Sequence, residues 1–202
     1  MRAEFLIFPG VDELDVVGPY EVLATAGGLG ADVEVALVRP ESMNAVTAAH
    51  GLLLTPDALL GAAPDLLVVP GGGWAAKAKT GAWGEYQRGK LPMAVAERHA
   101  SGSTVAGVCT GALLMAATGL LKGRPAVTHA SALEDLADAE AVVVEARVVD
   151  DGDVLTCGGV TAGIDLALWI VEREFGEDLA TRVAAHLEHE RRGTVHRARA
   201  AD

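Results

Sequence analysis

Short apolar, β-favouring runs alternate with helix-forming stretches along the chain, and most end at glycine or proline. "EFLIF" (Glu4–Phe8) stops at Pro9-Gly10, and "DVEVALV" (Asp32–Val38) reads as a second strand. "DLLVVPGGG" (Asp65–Gly73) breaks into three glycines, and "STVAGV" (Ser103–Val108) runs into Cys109. Between and after them lie "ELDVVGPYEVLATAG", closed by Gly27-Gly28, then "LPMAVAERHASG", "TGALLMAATGLL", "TAGIDLALWIVEREFG" and "EDLATRVAAHLEHERR", all with helical character. A continuously apolar strand is buried on both faces, and a helix that follows it covers one of them. The alternation therefore predicts an α/β fold with a mostly parallel sheet covered on both faces. "RPAVTHASALEDLADA" reads as a short strand passing into a helix, and "GLLLTPDAL" as a short strand or hairpin. "AVVVEARVVDDGDVLTC" reads as two strands around an Asp151-Gly152 turn. No linker, repeat or composition shift divides the chain, so residues 1–190 are expected to form one domain and 191–202 a charged C-terminal tail.

Charge and cysteine usage narrow the function classes. The 28 acidic residues outnumber the 16 basic ones, for a formal charge of −12. A nucleic-acid partner is not expected without a basic face, and the one basic cluster, "ERRGTVHRARA", reads as solvated tail. No apolar run reaches the ~18 residues of a membrane span, and the N-terminus lacks the pattern of a signal peptide. A cytoplasmic protein without a membrane partner is the expectation. The two cysteines, Cys109 and Cys157, form neither CxxC nor zinc spacing. His186 and His189 share a helix face but have no evident further ligands, so no metal is expected.

In such sheets ligands bind beyond the carboxyl ends of the strands. Three expected strand ends carry chemistry there: Val69 before the glycines, Val108 before Cys109, and Thr128 before His129. Cys109, in "GVCTG", sits where a strand becomes a helix. A side chain at such an elbow points out over the sheet edge, and helix N-terminal amides favour the thiolate. A pKa below the free value of about 8.5 is expected on this ground. The alternative is a small buried apolar residue. Glycines 71–73 let backbone amides approach a ligand and stabilise a developing anion, although glycine-rich turns are common in any fold. Asp12 and Glu13 suit a helix N-terminus. Asp15 lies among Leu14, Val16 and Val17, where a carboxylate is costly without a partner; it could exchange protons with Cys109.

These residues resemble the DJ-1/PfpI superfamily, and within it the isonitrile hydratase-like branch. The resemblance is carried by "LDVVGPYEVL" (Leu14–Leu23), "VVPGGGW" (Val68–Trp74), "GVCTGALLMAATGLLKGRPAVTH" (Gly107–His129) and "LTCGGVTAGIDLAL" (Leu155–Leu168). It implies a flavodoxin-like three-layer sandwich and a homodimer. It implies Cys109 as nucleophile and Asp15 as its acidic partner. Thr110 would sit beside the sulfur, its amide and that of Gly72 or Gly73 acting as anion donors, with Val160 lining the pocket. The implied reaction is hydration of an isonitrile to an N-formamide through a thioimidate on Cys109, a hydro-lyase chemistry that needs no cofactor.

The chain departs from the branch in two places. Ala130 follows Thr128-His129 where an aromatic is common, which should reshape the site. Cys157 replaces a glycine, adding bulk and a second thiol. A resolving role for Cys157 competes with simple packing, and His129 can be read as a base or as a packed imidazole. The superfamily also implies other readings: glyoxalase- or deglycase-like chemistry on reactive carbonyls, a ligand-sensing module, or an oxidative-stress sensor in which Cys109 becomes a sulfinate. Related sensing domains precede a DNA-binding region in AraC-type regulators, and with only a short tail before Asp202 direct DNA binding is not expected.

Overall fold

The structure is a computed structural model and describes residues 1–198. Within these residues eight strands form the main sheet: β1 (Arg2–Leu6), β2 (Glu34–Arg39), β3 (Ala58–Leu59), β4 (Leu66–Val69), β5 (Thr104–Val108), β6 (Val148–Asp150), β7 (Val154–Cys157) and β8 (Val195–Arg197). Their order is β8-β6-β7-β5-β4-β1-β2-β3. Every pairing is parallel except β6 with β7, the expected hairpin around Asp151-Gly152. The inner strands β4, β5 and β7 are apolar and buried almost throughout, as strands covered on both faces must be.

Among the described residues seven α-helices cover the sheet: α1 (Glu13–Gly28), α2 (Ala82–Arg88), α3 (Lys90–Ala100), α4 (Gly111–Ala116), α5 (Leu133–Asp138), α6 (Ala162–Phe175) and α7 (Glu177–His186). They divide into two groups, α1 with α6 and α7, and α2 with α3, α4 and, packed on α4, α5. The result is the flavodoxin-like three-layer sandwich. α1 and α6 approach closely because glycine faces a neighbour on both sides. A Cβ at Gly18 would lie 3.1 Å from Ile164 Cγ1, and one at Gly163 would lie 3.3 Å from Pro19 Cδ. Pro19 also has no N–H for the carbonyl of Asp15, one turn earlier.

Several segments differ from expectation. "TGALLMAATGLL" holds helix only to Ala116. Thr118 then bonds its hydroxyl to the Met115 carbonyl at 3.1 Å, and Gly119 takes a φ of 79°, a combination that ends a helix. Pro125–Ala126 pairs with Val142–Val143 in a separate two-stranded ladder, so Thr128 does not end a strand of the main sheet. "GLLLTPDAL" supplies half of a hairpin with Val46–Thr47 and then the edge strand β3. The basic stretch read as solvated tail contains β8, which extends the sheet beside β6. Residues 199–202 of the expected tail lie outside the described residues.

Candidate active site

Strands β7, β5, β4 and β1 end level at one edge of the sheet. Cys157 pairs with Val108, Val69 with Gly107, and Phe5 with Val68. The segments leaving these ends are Gly158–Thr161, Cys109–Thr110, Pro70–Trp74 and, after a turn, Asp12–Asp15. They meet around Cys109.

Cys109 has a φ of 56°, a left-handed conformation uncommon for a residue with a Cβ. Both of its peptide groups are tied. Its N–H donates to the Gly158 carbonyl at 3.1 Å, and its carbonyl accepts the buried Thr128 hydroxyl at 2.7 Å. The sulfur accepts backbone N–H groups of Val160 and Thr110. Val160 is itself at a φ of 47°, and for a β-branched residue that is an outlier costing about 1–3 kcal/mol. Two adjacent loops thus hold strained backbone, and the product of the strain is an N–H aimed at the thiol.

Asp15, in the first turn of α1, is completely buried. Its Oδ2 accepts the Gly71 N–H at 3.0 Å. Its Oδ1 makes no hydrogen bond, and the carboxyl lies near enough to the Cys109 thiol for each to shift the other's titration. Burial, reinforced by the charge of Asp12, lifts the Asp15 carboxyl to about 7. Burial and the Asp15 charge push the Cys109 thiol to about 12, against the pull of the two amides. This overturns the expectation of a depressed thiol pKa. The six residues of α4 give a short dipole, and desolvation beside a carboxylate outweighs it. What the fold builds is a protonated thiol next to a base that titrates near neutrality.

The other expected residues divide. Thr110 is buried and precedes α4. Its Oγ1 accepts the Gly72 N–H at 3.1 Å. The Gly72 amide is therefore engaged within the site and serves to position Thr110, while Gly73, at a φ of 69°, turns the chain toward Trp74. The Trp74 indole N–H donates to Asp135 at 2.7 Å and anchors the far end of this loop. Asp12 caps α1 through the Leu14 N–H at 3.1 Å. Glu13 instead clamps the neighbouring hairpin, accepting the His50 N–H at 2.6 Å. His129 accepts the Ser131 N–H on Nδ1 at 3.1 Å, and its ring lies on Gly159, where a Cβ would come within 2.1 Å of Cδ2. The imidazole supports the 158–161 turn and makes no hydrogen bond to Cys109 or Asp15 among the described residues.

Sequence reasoning took Gly71 only as one of the three glycines, and gave Thr128 no role. Gly71 has room for no side chain: a Cβ would lie 2.4 Å from Thr110 Oγ1 and 2.6 Å from Thr110 N. Its signal was the first place in the glycine run. Thr128 was visible only as the neighbour of His129. Cys157 is fully buried, and its sulfur faces the Cys109 backbone N–H. Burial drives this thiol well above its ordinary range, the setting of an inert cysteine. Cys157 is expected to resist iodoacetamide at pH 8 until the protein unfolds, as peptide mass spectrometry would register.

Among the described residues no group of three or more His, Cys, Asp or Glu side chains gathers to hold a metal. No helix there is long and apolar enough to cross a membrane. His189, one of the helical pair, instead meets Asp165 Oδ1 at 3.0 Å.

The pattern described as the DJ-1/PfpI family matches residues 1–173. The chain belongs to the DJ-1/PfpI family. It is 38% identical over 191 residues to the isonitrile hydratase of Pseudomonas putida, covering 94% of this chain and 78% of that protein. The crystal structure of a ThiJ/PfpI family protein from Pseudomonas syringae superposes with a TM-score of 0.81 at 30% identity, covering 94% of this chain and 75% of that one. Drosophila melanogaster DJ-1β shares the fold, with a TM-score of 0.77 at 22% identity over 94% of this chain and 98% of that one.

Proposed function

We propose that this DJ-1/PfpI family member is a cysteine-dependent hydro-lyase that converts isonitriles to N-formamides. The observation that carries the reading is the buried Asp15 carboxyl, held at about 7 beside the Cys109 thiol, with one oxygen that makes no hydrogen bond. The likeness to an isonitrile hydratase over nearly the whole chain supports the substrate class.

The carboxylate takes the thiol proton as the sulfur attacks the terminal carbon of R–N≡C. It returns that proton to the same carbon, leaving the thioimidate R–N=CH–S–Cys109. The carboxylate then takes a proton from water as its oxygen adds to the thioimidate carbon, and delivers that same proton to the nitrogen. Collapse of the tetrahedral R–NH–CH(OH)–S–Cys109 breaks the C–S bond. The hydroxyl proton passes through Asp15 to the sulfur, and R–NH–CHO leaves. A base matched to neutral pH is the efficient choice for both transfers, and the covalent step divides one difficult addition into two. Thr110 donates its amide to the sulfur, Gly72 and Gly73 shape the wall beside it, and Val160 supplies a second donor. His129 lines the site from behind Gly159. No cofactor enters these steps. The same reading has the chain work as a cytoplasmic homodimer.

Incubation with an alkyl isonitrile and, separately, with methylglyoxal tests the reading. N-formamide detected by NMR, with methylglyoxal unconsumed, supports it. Methylglyoxal loss without formamide overturns it in favour of carbonyl chemistry, and inertness toward both overturns it in favour of a sensing thiol.

A further inference from the structure

The turn Gly158–Thr161 touches Cys109 twice. The Gly158 carbonyl accepts the Cys109 N–H at 3.1 Å, and the Val160 N–H reaches the sulfur. A β-branched residue at a φ of 47° does not hold that conformation unaided, so something must fix both ends of the turn. One residue does so. The Arg147 carbonyl accepts the Gly158 N–H at 3.0 Å, and the Arg147 Nη2 donates to Thr161 Oγ1 at 3.1 Å.

Arg147 is itself held on every side. Its Nε donates to the Asp165 carboxylate, which is 4% exposed. The other Asp165 oxygen meets His189 Nε2 at 3.0 Å and accepts the Arg192 N–H at 3.2 Å. The Arg147 N–H donates to the Thr194 carbonyl at 3.1 Å. A buried carboxylate with this many donors is satisfied and rigid, and it presents the guanidinium fork in one orientation.

We infer that Arg147 is a positioning residue for Cys109: it clamps the 158–161 turn at both ends and thereby keeps the Val160 N–H on the sulfur. This rests on the reading of Cys109 as the nucleophile. The Arg147 side chain acts through Thr161, and Asp165 acts through Arg147.

The test is the rate at which Cys109 is alkylated by iodoacetamide at pH 9, located by peptide mass spectrometry, in the wild type, Arg147→Lys, Thr161→Val and the double variant. Arg147→Lys keeps a cation for Asp165 but loses the fork. Thr161→Val removes only the exposed hydroxyl and should fold. Loss of a positioned donor lowers the thiolate fraction, so each single variant should slow alkylation about three- to tenfold. The double variant should be no slower than the slower single one. The sign separates positioning from loosening, because a merely loosened fold exposes the thiol and speeds its alkylation. Unchanged or faster alkylation in Thr161→Val, or multiplied effects in the double variant, would overturn the inference. If Arg147→Lys does not fold, the Thr161→Val rate decides alone. Alkylation needs no substrate: absence of formamide from the wild type would count against the hydratase reading and leave this result standing.

Discussion

Cys109→Ala is expected to abolish N-formamide production, and Asp15→Asn to lower it about 10²- to 10⁴-fold. The first removes the atom that forms the covalent bond. The second keeps the shape of the side chain, and an oxygen to accept the Gly71 N–H, but removes the base beside the sulfur. With the thiol pushed up to about 12, the thiolate population at pH 7 is negligible, so attack depends on a base taking the proton as the bond forms. The wild-type kcat/KM should therefore rise with pH through about 7 as Asp15 ionises, and that rise should vanish in Asp15→Asn. A flat wild-type profile between pH 5 and 9 would exclude Asp15 as the base. Formamide production retained by Cys109→Ala would exclude covalent catalysis altogether.

The same carboxyl makes stability depend on pH in the opposite direction to activity. Asp15 titrates at about 7 in the folded chain and near ~3.9 once unfolded. Between those values the folded state binds the extra proton. The stability linked to it is fully present below about pH 4 and is lost as the pH rises through 7. Three units of difference correspond to about 4 kcal/mol, an upper bound for what a neutral amide could recover at pH 8. Asp15→Asn should thus melt about 3–10 °C above the wild type at pH 8, with the gap closing toward pH 5. A gap of equal size at both pH values would mean that charge at residue 15 is not its source.

Much of this arrangement could be read from the sequence, for identifiable reasons. The apolar strands and the small residues around Cys109 specify local geometry, and local geometry is what periodicity and glycine placement encode. Asp15 stood out because a carboxylate between Leu14 and Val16 needs a partner, and the structure supplies Gly71 and Cys109. The protonation state was not legible. It depends on how near two residues from distant segments come and on how dry their contact is, and the helix dipole alone points to the wrong sign for Cys109. Thr128, Gly158 and Arg147 act through single backbone or side-chain contacts across the fold, with no pattern of their own. α2 and β8 were missed because short elements in polar sequence form by packing and edge pairing, which outweigh propensity.

Gly111→Ala should be among the most damaging single substitutions in the chain. Gly111 opens α4 two residues after Cys109, and a Cβ there would lie 1.9 Å from the Val69 carbonyl oxygen, 2.7 Å from its carbon and 2.9 Å from the Pro70 carbonyl carbon. All three are backbone atoms, so no rotamer change relieves the contact. Val69 ends β4, which is hydrogen-bonded to β1 on one side and β5 on the other and cannot retreat. The helix must move instead, carrying Thr110 away from the Gly72 N–H and the sulfur. Overpacking of this severity costs about 3 kcal/mol or more, a fall of roughly 6–12 °C in melting temperature for a chain of this size. Gly28→Ala is the matched control: it closes α1, and a Cβ there meets nothing within 4 Å, so its melting temperature should equal or exceed that of the wild type. If Gly111→Ala melted with Gly28→Ala, α4 could not be seated against β4 as described, and the elbow that presents Cys109 to Asp15 would have a different shape.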